Sequence, residues 1–590
     1  MTIDFSNLKM QYPLPERIGN PDLLTGRKKD FVEYHRWISE IPKMISRSRV
    51  ILARRKSGKT AFVQRIFNQL WSADSDVIPF YFEIKDQKIW LGDFAEEYYR
   101  IFVSHYISFI ERNPEIIQKP FEIEQIKAYG KKKSQKVFVD DVDAMHKHKT
   151  DNRPGMMWEI AYNAPHRYAA LHKKFFLVII DEFQNINGYI YRDKECETAL
   201  DETMTGSFHE HSESKIAPML CTGSDVGWLL HNVAKYLGVG RFKQMRMKTY
   251  LTDEEGLETV FKYAKIHEIP ITNESALLIN RLCYSDAFFI SCIIRSSYEE
   301  KDLTTRAGVI NTVNYELTNR EADFANNWDE YFRTTFHRIN EVYAKKMLLH
   351  LTKFRDRSWT PQEIKEALGI DMDVNEIHAK LEMLRKADLI RDLSSIDYIG
   401  PDDGTFYLVL RHRFEKEISG LKPDFKKEFH EEIGKLKQEN RSLRGKLNQL
   451  VGKMAEYQLA LDFRNRGRFS LPVYFEGVKD DTQLNINNVT SRVYLQRPEG
   501  KNLEIDVKAE SSCGRTVLVE VKKRQAKVDL KTVEDFVEKV EVYQELYPDQ
   551  KVIPAFLSLG GFTDEALAYC KSQKIGVAQK IKYFQEEWSD

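Results

Sequence analysis

The sequence predicts a multidomain α/β protein, and three observations support that prediction. The chain has 590 residues, which at roughly 150 residues per domain corresponds to about four domains. In its N-terminal half, short apolar runs alternate with helical patterns, which is typical of a parallel sheet flanked by helices. Near the C-terminus, strand-like segments at 502–507, 517–522 and 552–558 accompany helical patterns over about 530–546 and 563–573, which predicts a separate α/β domain.

Composition and charge exclude several classes of protein. Hydrophobic residues make up 42% and aromatic residues 12%, so buried cores are expected rather than bulk disorder. The 89 Lys and Arg balance 89 Asp and Glu, so any nucleic-acid site must be a local patch. The longest strongly apolar run, Phe175–Ile180, is far shorter than the ~20 residues of a membrane span, and the N-terminal residues do not resemble a signal peptide. The six cysteines form no CxxC pair, so we expect a cytoplasmic protein without membrane contact or a cysteine metal site.

A phosphate-binding loop is the clearest motif of the first domain. The sequence ARRKSGKT at 53–60 follows the predicted strand Arg49–Leu52 and precedes a helical pattern, and it fits GxxxxGK(S/T) except that Ala53 replaces the first glycine. In such loops Lys59 reaches the β and γ phosphates of ATP, and Thr60 ligates Mg²⁺. The residues expected to bind the nucleotide are Arg55, Lys56, Ser57, Gly58, Lys59 and Thr60. A chance Gly-Lys-Thr in a basic loop is the alternative, and the strand–loop–helix context disfavours it.

Two acidic residues follow a strand that is apolar on both faces. Asp181 and Glu182 come directly after Phe175–Ile180, at the end where parallel sheets bind ligands. Asp181 would belong to the Mg²⁺ site, and Glu182 would polarise the attacking water. Downstream of a phosphate loop, this pair indicates an ATPase or a GTPase. The other predicted strands of this sheet are Val77–Ile84 and Ala217–Cys221.

Residues about 20–300 resemble the archaeal-type ATPases, which are relatives of the AAA+ and STAND NTPases. The matching segments are a GREKEL-like box at 26–31, a PRRxGKT-like loop at 54–60, DEFQ at 181–184, TGS at 222–224 and GRF at 240–242. The resemblance implies that Ser224 or Thr222 senses the γ-phosphate and that Arg241 is an arginine finger. A structural salt bridge is the alternative role for Arg241. The same family usually carries a winged helix after the ATPase domain.

The chain from about 340 to 418 fits a winged helix. Residues 358–363 have the composition of a helix start, Val374–Leu389 is amphipathic, and Gly404 is expected in a turn before a strand at Phe406–Leu410. The second helix has mixed rather than basic charge. Packing or extension of the lid is therefore as plausible as DNA-groove binding.

Three polar stretches of the first domain are expected in loops. Within the long helical region at about 85–174, these are Lys131–Lys133 and Asp140–Asp143, and a metal site at the acidic stretch is a remote alternative. His209-Glu210-His211 also has a loop-like setting and is rejected as a zinc site.

A short heptad pattern links the two halves of the chain. Its apolar positions run from Ile433 to Met454 at alternating spacings of three and four, with Asn440 at an a position. A connecting helix packed on its own chain and a parallel dimer are both compatible with about three heptads. A homo-oligomer could form through this coiled coil or through the ATPase domain.

The C-terminal domain carries a second candidate metal site. In the strand 517–522, Glu520 and Lys522 share one face, and a hairpin would bring Asp506 beside them. Carboxylates of this kind suit Mg²⁺ or Mn²⁺, with Asp506 and Glu520 as ligands and Lys522 orienting the nucleophile or stabilising charge. A half-exposed strand with alternating polar residues is the alternative interpretation. The order of a helical Glu456, Asp506 and the ExK pair resembles the PD-(D/E)xK nuclease superfamily, which implies catalytic roles for all four residues. Phosphate contacts or solubility could explain the nearby basic residues, which are Arg464, Arg466, Arg468, Lys523, Arg524 and Lys527.

These features define five expected segments and two hypotheses for function. The segments are a P-loop ATPase core at 1–245, a helical lid at 246–335, a winged helix at 336–420, a coiled-coil linker at 425–454 and a restriction-endonuclease-like nuclease domain at 455–590. The first hypothesis is an ATP-coupled, metal-dependent DNA endonuclease that acts in defence or in mobile-element processing. The alternative is a STAND-like regulatory NTPase whose C-terminal domain binds DNA or protein without cleavage.

Overall fold

The computed structural model divides the chain into two compact units, Met1–Glu431 and Glu432–Asp590. The residues that it describes are 8–73, 75–223, 241–335, 341–387, 389–420, 423–431, 454–495, 503–522 and 526–579. Asn440 and most of the predicted coiled coil lie outside these described residues. Among the described residues, no helix is long and apolar enough to cross a membrane.

A parallel five-stranded sheet forms the centre of the first unit. Its strands lie in the order β2-β4-β6-β1-β7. They are β1 (Arg49–Leu52), β2 (Val77–Glu83), β4 (Phe175–Asp181), β6 (Met219–Gly223) and β7 (Lys243–Arg246), and a separate pair is formed by β3 (Ile89–Trp90) and β5 (Ile190–Tyr191). The α/β class with a parallel sheet and the four predicted strands of this sheet are confirmed, and their apolar runs are buried.

The helices around this sheet include the long insertion between β2 and β4. They are α1 (Lys28–Ser39), α2 (Lys59–Ser72), α3 (Leu91–Glu111), α4 (Glu115–Gln118), α5 (Ile123–Lys132), α6 (Lys136–Thr150) and α7 (Pro154–His172). Aromatic side chains of β2 pack edge-on against α3, as in the pair Phe80 and Phe102.

The predicted loops at Lys131–Lys133 and Asp140–Asp143 are wrong for most of these residues. Lys131 and Lys132 form the last turn of α5, and all four residues of the acidic stretch lie within α6. A helix tolerates this composition because the Asp141 carboxylate is buried and fully engaged. It accepts two hydrogen bonds from Arg167 and one each from Tyr99 and Tyr168. These contacts explain how the Asp141 carboxylate is accommodated inside the helix.

Five helices follow the sheet, in the region expected to be a lid. They are α8 (Asp253–Ile266), α9 (Asn273–Leu282), α10 (Ala287–Arg295), α11 (Arg306–Thr318) and α12 (Asp323–Thr335). Thr252 and Thr272 cap α8 and α9 with their hydroxyls, and Asp286 caps α10 with its carboxylate.

Residues 341–420 combine four helices with a small hairpin, and residues 425–431 are also helical. The elements are α13 (Val342–Lys353), α14 (Pro361–Leu368), α15 (Val374–Lys386), the antiparallel pair β8 (Arg391–Asp392) and β9 (Tyr398–Ile399), and α16 (Gly404–Ser419). The prediction of a strand at Phe406–Leu410 is wrong, because these residues lie inside α16. A short apolar run does not by itself distinguish strand from helix, and here Asp403 accepts a hydrogen bond from the Phe406 amide and starts a helix.

The second unit contains a mixed six-stranded sheet in sequence order. Its strands are β10 (Arg468–Ser470), β11 (Gln483–Leu495), β12 (Leu503–Ser511), β13 (Arg515–Lys522), β14 (Lys551–Ser558) and β15 (Gly576–Ala578). Neighbours from β10 to β13 are antiparallel, whereas β13, β14 and β15 are parallel. The helices are a segment at 454–466, α17 (Leu530–Leu546) and α18 (Asp564–Ser572). The three predicted strands and two predicted helices are confirmed, whereas the long strand β11 was not predicted.

Candidate functional site

The phosphate-loop motif connects β1 to α2 through a tight turn. Gly58 stands directly before α2 with φ 85°, and Lys56 also has a positive φ of 64°. Glycine is suited to the first of these positions because a side chain there would be strained. The described residues with a positive φ do not include Ala53, so alanine fits at the position of the motif's first glycine without backbone strain.

Lys59 is buried at the start of α2 and lies against its own loop. Its ammonium group donates to the carbonyl oxygens of Ala53 at 2.9 Å and Arg54 at 3.0 Å. Burial lowers the pKa of Lys59 to about 8, although Glu182 and Asp181 oppose that change. The hydroxyl of Ser57 is buried and has no hydrogen-bond partner among the described residues. A buried lysine beside an unsatisfied hydroxyl suits an anionic ligand with several oxygen atoms.

Asp181 and Glu182 have different surroundings at the end of β4. The buried Asp181 carboxylate accepts hydrogen bonds from the hydroxyls of Tyr81 (3.0 Å) and Thr222, and from the Glu182 amide (3.1 Å). Thr222 therefore holds Asp181 in this structure. Glu182 has a left-handed backbone with φ 53°, accepts a hydrogen bond from Gln184 and lines the cavity in front of the loop. Residues in such a backbone conformation concentrate at functional sites.

A cavity of about 690 Å³ opens in front of the phosphate loop. This volume lies within the usual range for small-ligand sites, roughly 300–1,000 Å³. The six residues of the phosphate loop that the sequence predicted as nucleotide-binding, from Arg55 to Thr60, line it. Its opposite wall comes from helices α8 and α10, and includes Tyr263 and Phe288.

Sequence reasoning missed the other basic residues of this cavity, which are Arg17, Arg27 and Arg295. Arg27 lies in the GREKEL-like box, and its guanidinium donates to the Ser57 carbonyl oxygen at 2.7 Å. The position of Arg27 in that box was a signal for a role. Arg295 is the last residue of α10, and nothing in its local sequence marked it.

Arg241 does not line the described cavity. The Arg241 guanidinium donates to the His209 carbonyl oxygen at 2.9 Å and lies 3.2 Å from a carboxylate oxygen of Glu213. Within one chain it therefore contacts the segment before β6. Ser224 lies outside the described residues.

The second candidate site lies between β12 and β13. The pairing of Val507 with Val519 places Asp506 and Glu520 at neighbouring positions. The Lys522 ammonium lies 2.6 Å from a Glu520 oxygen and 3.9 Å from an Asp506 oxygen, so the three side chains share one side of the sheet. Asp506 also accepts a hydrogen bond from the Val521 amide at 2.7 Å. The structure therefore brings together the central acid and the ExK pair.

Burial and mutual repulsion make the two carboxylates of this cluster, Asp506 and Glu520, costly to charge together. Burial, together with the Glu520 charge, raises the pKa of Asp506 to about 7. Burial alone would lower the pKa of Lys522, but Glu520 and Asp506 outweigh it and raise that pKa. A divalent ion would stabilise both carboxylates in their charged forms.

Glu456 belongs to the same cluster, together with residues that sequence reasoning missed. Ligand atoms of Glu456, Glu504 and Asp506 lie within 4.8 Å of one another, which is a spacing that one metal ion can span. Arg492 pairs with both oxygens of Glu456, at 2.8 and 3.2 Å, and approaches Glu504 at 3.6 Å. Strand alternation could have pointed to Glu504, which lies two residues before Asp506 on the same face. Arg492 of β11 could not be predicted, because the order of the strands in the sheet was not known.

Lys539 was also missed, because it belongs to the helix that follows the strands. From α17 its ammonium group donates to both oxygens of Glu520, at 2.9 and 2.8 Å. Of the basic residues that the sequence suggested, Arg464 donates to the Val489 carbonyl oxygen at 3.2 Å, and Arg468 is exposed. Lys523 and Arg524 lie outside the described residues.

Comparison with known proteins gives remote structural likeness. No protein-family model matches the sequence, and no curated protein matches it. A Walker-type ATPase of Pyrococcus abyssi is 12% identical over 68% of this chain and 98% of its own, with a TM-score of 0.43. The ORC2 protein of Aeropyrum pernix in its ADP form is 12% identical over 69% of this chain and 96% of its own, with a TM-score of 0.36. A repair endonuclease from Pyrococcus abyssi matches at 17% identity over 16% of this chain and 39% of its own, with a TM-score of 0.13. At these TM-scores, the likeness assigns neither a family nor an activity to this chain.

Proposed function

We propose that this protein binds and hydrolyses ATP and that its second unit is a metal-dependent DNA endonuclease. The observation that carries the first part is the buried Lys59, which lies in a strand–loop–helix turn beside Asp181 and Glu182. The observation that carries the second part is the shared contact of Lys522 with Asp506 and Glu520.

The first site suits phosphoryl transfer to water. Lys59 would leave the loop carbonyls and donate to the β and γ phosphates, and the Ser57 hydroxyl would gain a partner there. Thr60 and Asp181 would hold Mg²⁺, which supplies positive charge to the phosphate oxygens. Glu182 lines the cavity and would accept a proton from the attacking water, while Arg241 remains a candidate finger for a neighbouring copy.

The helices after the sheet would act as the lid and the winged helix. Tyr263 and Phe288 of the lid region line the nucleotide cavity. The order α13, α14, α15 and the hairpin β8–β9 is typical of a winged helix. The hairpin is short and its tip exposes Leu393 and Ile396, so the basic contacts of a DNA-reading wing are not evident there.

The second site suits hydrolysis of a phosphodiester. Asp506 and Glu520 are the proposed metal ligands, and the ion supplies charge to the scissile phosphate. Lys522 is held between the two carboxylates and would orient the water that attacks. Glu456 holds Arg492, whose guanidinium would be available to a phosphate oxygen of DNA.

The alternative is a regulatory NTPase whose second unit binds DNA or protein without cleavage. One observation favours it, namely that Arg492 and Lys539 already neutralise Glu456 and Glu520 within the chain. In that case these ion pairs are structural and no metal binds.

Plasmid cleavage separates the two functions. Supercoiled plasmid is incubated with Mg²⁺ or Mn²⁺, with and without ATP, and with wild type, Glu520→Ala, Lys522→Ala or Glu510→Ala. Glu510 is the matched control, because it is an acid on β12 that pairs with Lys508 rather than with Lys522. We expect cleavage by wild type and Glu510→Ala, and at least a hundredfold loss in the other two variants. Wild type that nicks no DNA under any of these conditions would reject the nuclease.

A further inference from the structure

Arg54 connects the phosphate loop to two helices outside the sheet. Its side chain is 12% exposed and donates from Nη2 to Asp286 and from Nε to Asp403, the latter at 2.6 Å. The Cζ atom of its guanidinium lies over the Trp328 ring, 4.8 Å from the ring centroid. A planar guanidinium can bind two carboxylates and an aromatic face at once, which an ammonium group cannot do in the same geometry.

Each carboxylate also starts a helix. Asp286 accepts hydrogen bonds from the amides of Phe288 and Phe289, at 2.9 and 3.2 Å, and so caps α10. Asp403 caps α16 in the same way. Arg54 therefore joins the loop to the first turns of the lid helix α10 and of α16.

Arg54, Asp286 and Asp403 form a buried cluster, so the charge of each residue interacts strongly with the charges of the other two. Burial by itself lowers the pKa of Arg54, but Asp403 and Asp286 outweigh it and raise that pKa above its ordinary value. Burial raises the pKa of Asp286. Removing one partner leaves an uncompensated buried charge. Its cost exceeds the stability that the intact ion pair contributes.

The main chain of Arg54 contacts Lys59, a residue of the candidate nucleotide site. Its carbonyl oxygen accepts one of the two loop hydrogen bonds of Lys59. The next residues also contact the helices, since Arg55 pairs with Glu330 of α12 at 2.6 Å and the Lys56 ammonium lies over the Phe288 ring. The conformation of the loop therefore depends on where these helices lie.

We propose that Arg54 is a positioning residue that, through Asp286 and Asp403, makes nucleotide binding and the packing of α16 depend on each other. The inference rests on the proposed nucleotide site. Arg54 itself need not touch the nucleotide. It holds the loop in the shape that binds phosphate only when α10 and α16 are in place, so nucleotide binding in turn stabilises α16.

The test compares Asp403→Asn with the control Asp373→Asn in the full chain. Asparagine caps a helix about as well as aspartate, so both variants keep a cap and lose a charge. Asp373 caps α15 and accepts a hydrogen bond from the Asn375 amide, away from the loop. The two readouts are the dissociation constant for ATP by calorimetry and the hydrogen exchange of α16 amides with and without ATP.

We expect ATP to slow exchange in α16 at least fivefold in wild type and in Asp373→Asn. In Asp403→Asn, ATP should bind at least tenfold more weakly, and the slowing in α16 should disappear. Unchanged or tighter binding in Asp403→Asn, or an undiminished effect of ATP on α16, would overturn the inference and leave the nucleotide site intact. Wild type that binds no ATP would instead reject the proposed nucleotide site, and the inference with it.

Arg54→Lys is the second variant, and it decides the matter if Asp403→Asn does not fold. The lysine keeps one positive charge between the carboxylates. It lacks the separate N–H groups with which the guanidinium reaches both of them. We expect it to fold, to bind ATP more weakly than wild type and to lose most of the ATP effect on α16. A lysine variant equal to wild type in both readouts would show that charge alone is enough and would overturn the role assigned to Arg54.

Discussion

Protonation of Lys59 should control nucleotide affinity in mildly alkaline solution. Burial lowers the pKa of this lysine to about 8 from its ordinary 10.5. At about 1.36 kcal/mol per pKa unit, this difference corresponds to a cost of about 3 kcal/mol for the charged form in the ligand-free protein. Phosphate oxygens would supply the missing partner, so we expect nucleotide binding to return the pKa of Lys59 to 10 or above.

The direction of the pH effect follows from the protonated form being the one that binds. Below a pH of about 7 the lysine is already charged before ATP binds. In that range its protonation state does not change the affinity for ATP. Above pH 8 a proton must be taken up, so the dissociation constant should rise by about tenfold per pH unit. At pH 8, half of the lysine is unprotonated, and about 0.5 proton should be taken up per nucleotide bound.

Calorimetry in two buffers of different ionisation enthalpy measures this proton uptake directly. The binding enthalpies of ADP at pH 8 in HEPES and in Tris should differ by about one half of the difference between the ionisation enthalpies of the two buffers. Lys59→Arg is the matched control, because arginine keeps its charge across this range and should show no uptake from this position. Equal binding enthalpies in the two buffers for wild type, or the same uptake in Lys59→Arg, would refute the assignment of a depressed pKa to Lys59.

Three further predictions concern both units. Glu182→Gln should bind ATP with wild-type affinity and lose at least a hundredfold in turnover, and unchanged hydrolysis would reject Glu182 as the base. Arg492→Ala should lower DNA cleavage at least tenfold while leaving Mn²⁺ affinity within about threefold, measured by calorimetry. A large gain in Mn²⁺ affinity would instead show that Arg492 competes with the metal. Phe556→Ala should destabilise the second unit by about 3–5 kcal/mol in urea, because Phe556 is fully buried and packs edge-on against Phe536 and Phe562. A loss below about 1 kcal/mol would contradict that packing.

The two halves of the candidate nuclease site differed in how far the sequence could predict them. Glu520 and Lys522 lie on one strand, and alternation in a strand is enough to place them on one face. Asp506 could be placed beside them only on the assumption of a hairpin, which the antiparallel pairing of β12 and β13 satisfies. Arg492 could not be predicted, because β11 reaches the site only through its pairing with β12.

The incorrect prediction of a strand at Phe406–Leu410 shows where a local sequence pattern is not sufficient. Five apolar residues in a row satisfy both a buried strand and one side of a buried helix, so periodicity cannot decide between them. The decision comes from Asp403, whose carboxylate caps α16 and is also held by Arg54 in the phosphate loop. That contact joins residues 349 positions apart.

The sequence alone determined the elements whose signals are local. These are the apolar strands of the first sheet, the strand–loop–helix turn at 53–60 and the two acids at the end of β4, because a buried strand and a phosphate-loop motif each demand particular residues at adjacent positions. The tertiary structure decided which distant charges meet. It brought Arg54 to Asp286 and Asp403, Arg492 to Glu456, and Lys539 to Glu520. The physical reason is that an ion pair depends on the distance between its groups in space, and chain folding sets that distance independently of their separation in sequence.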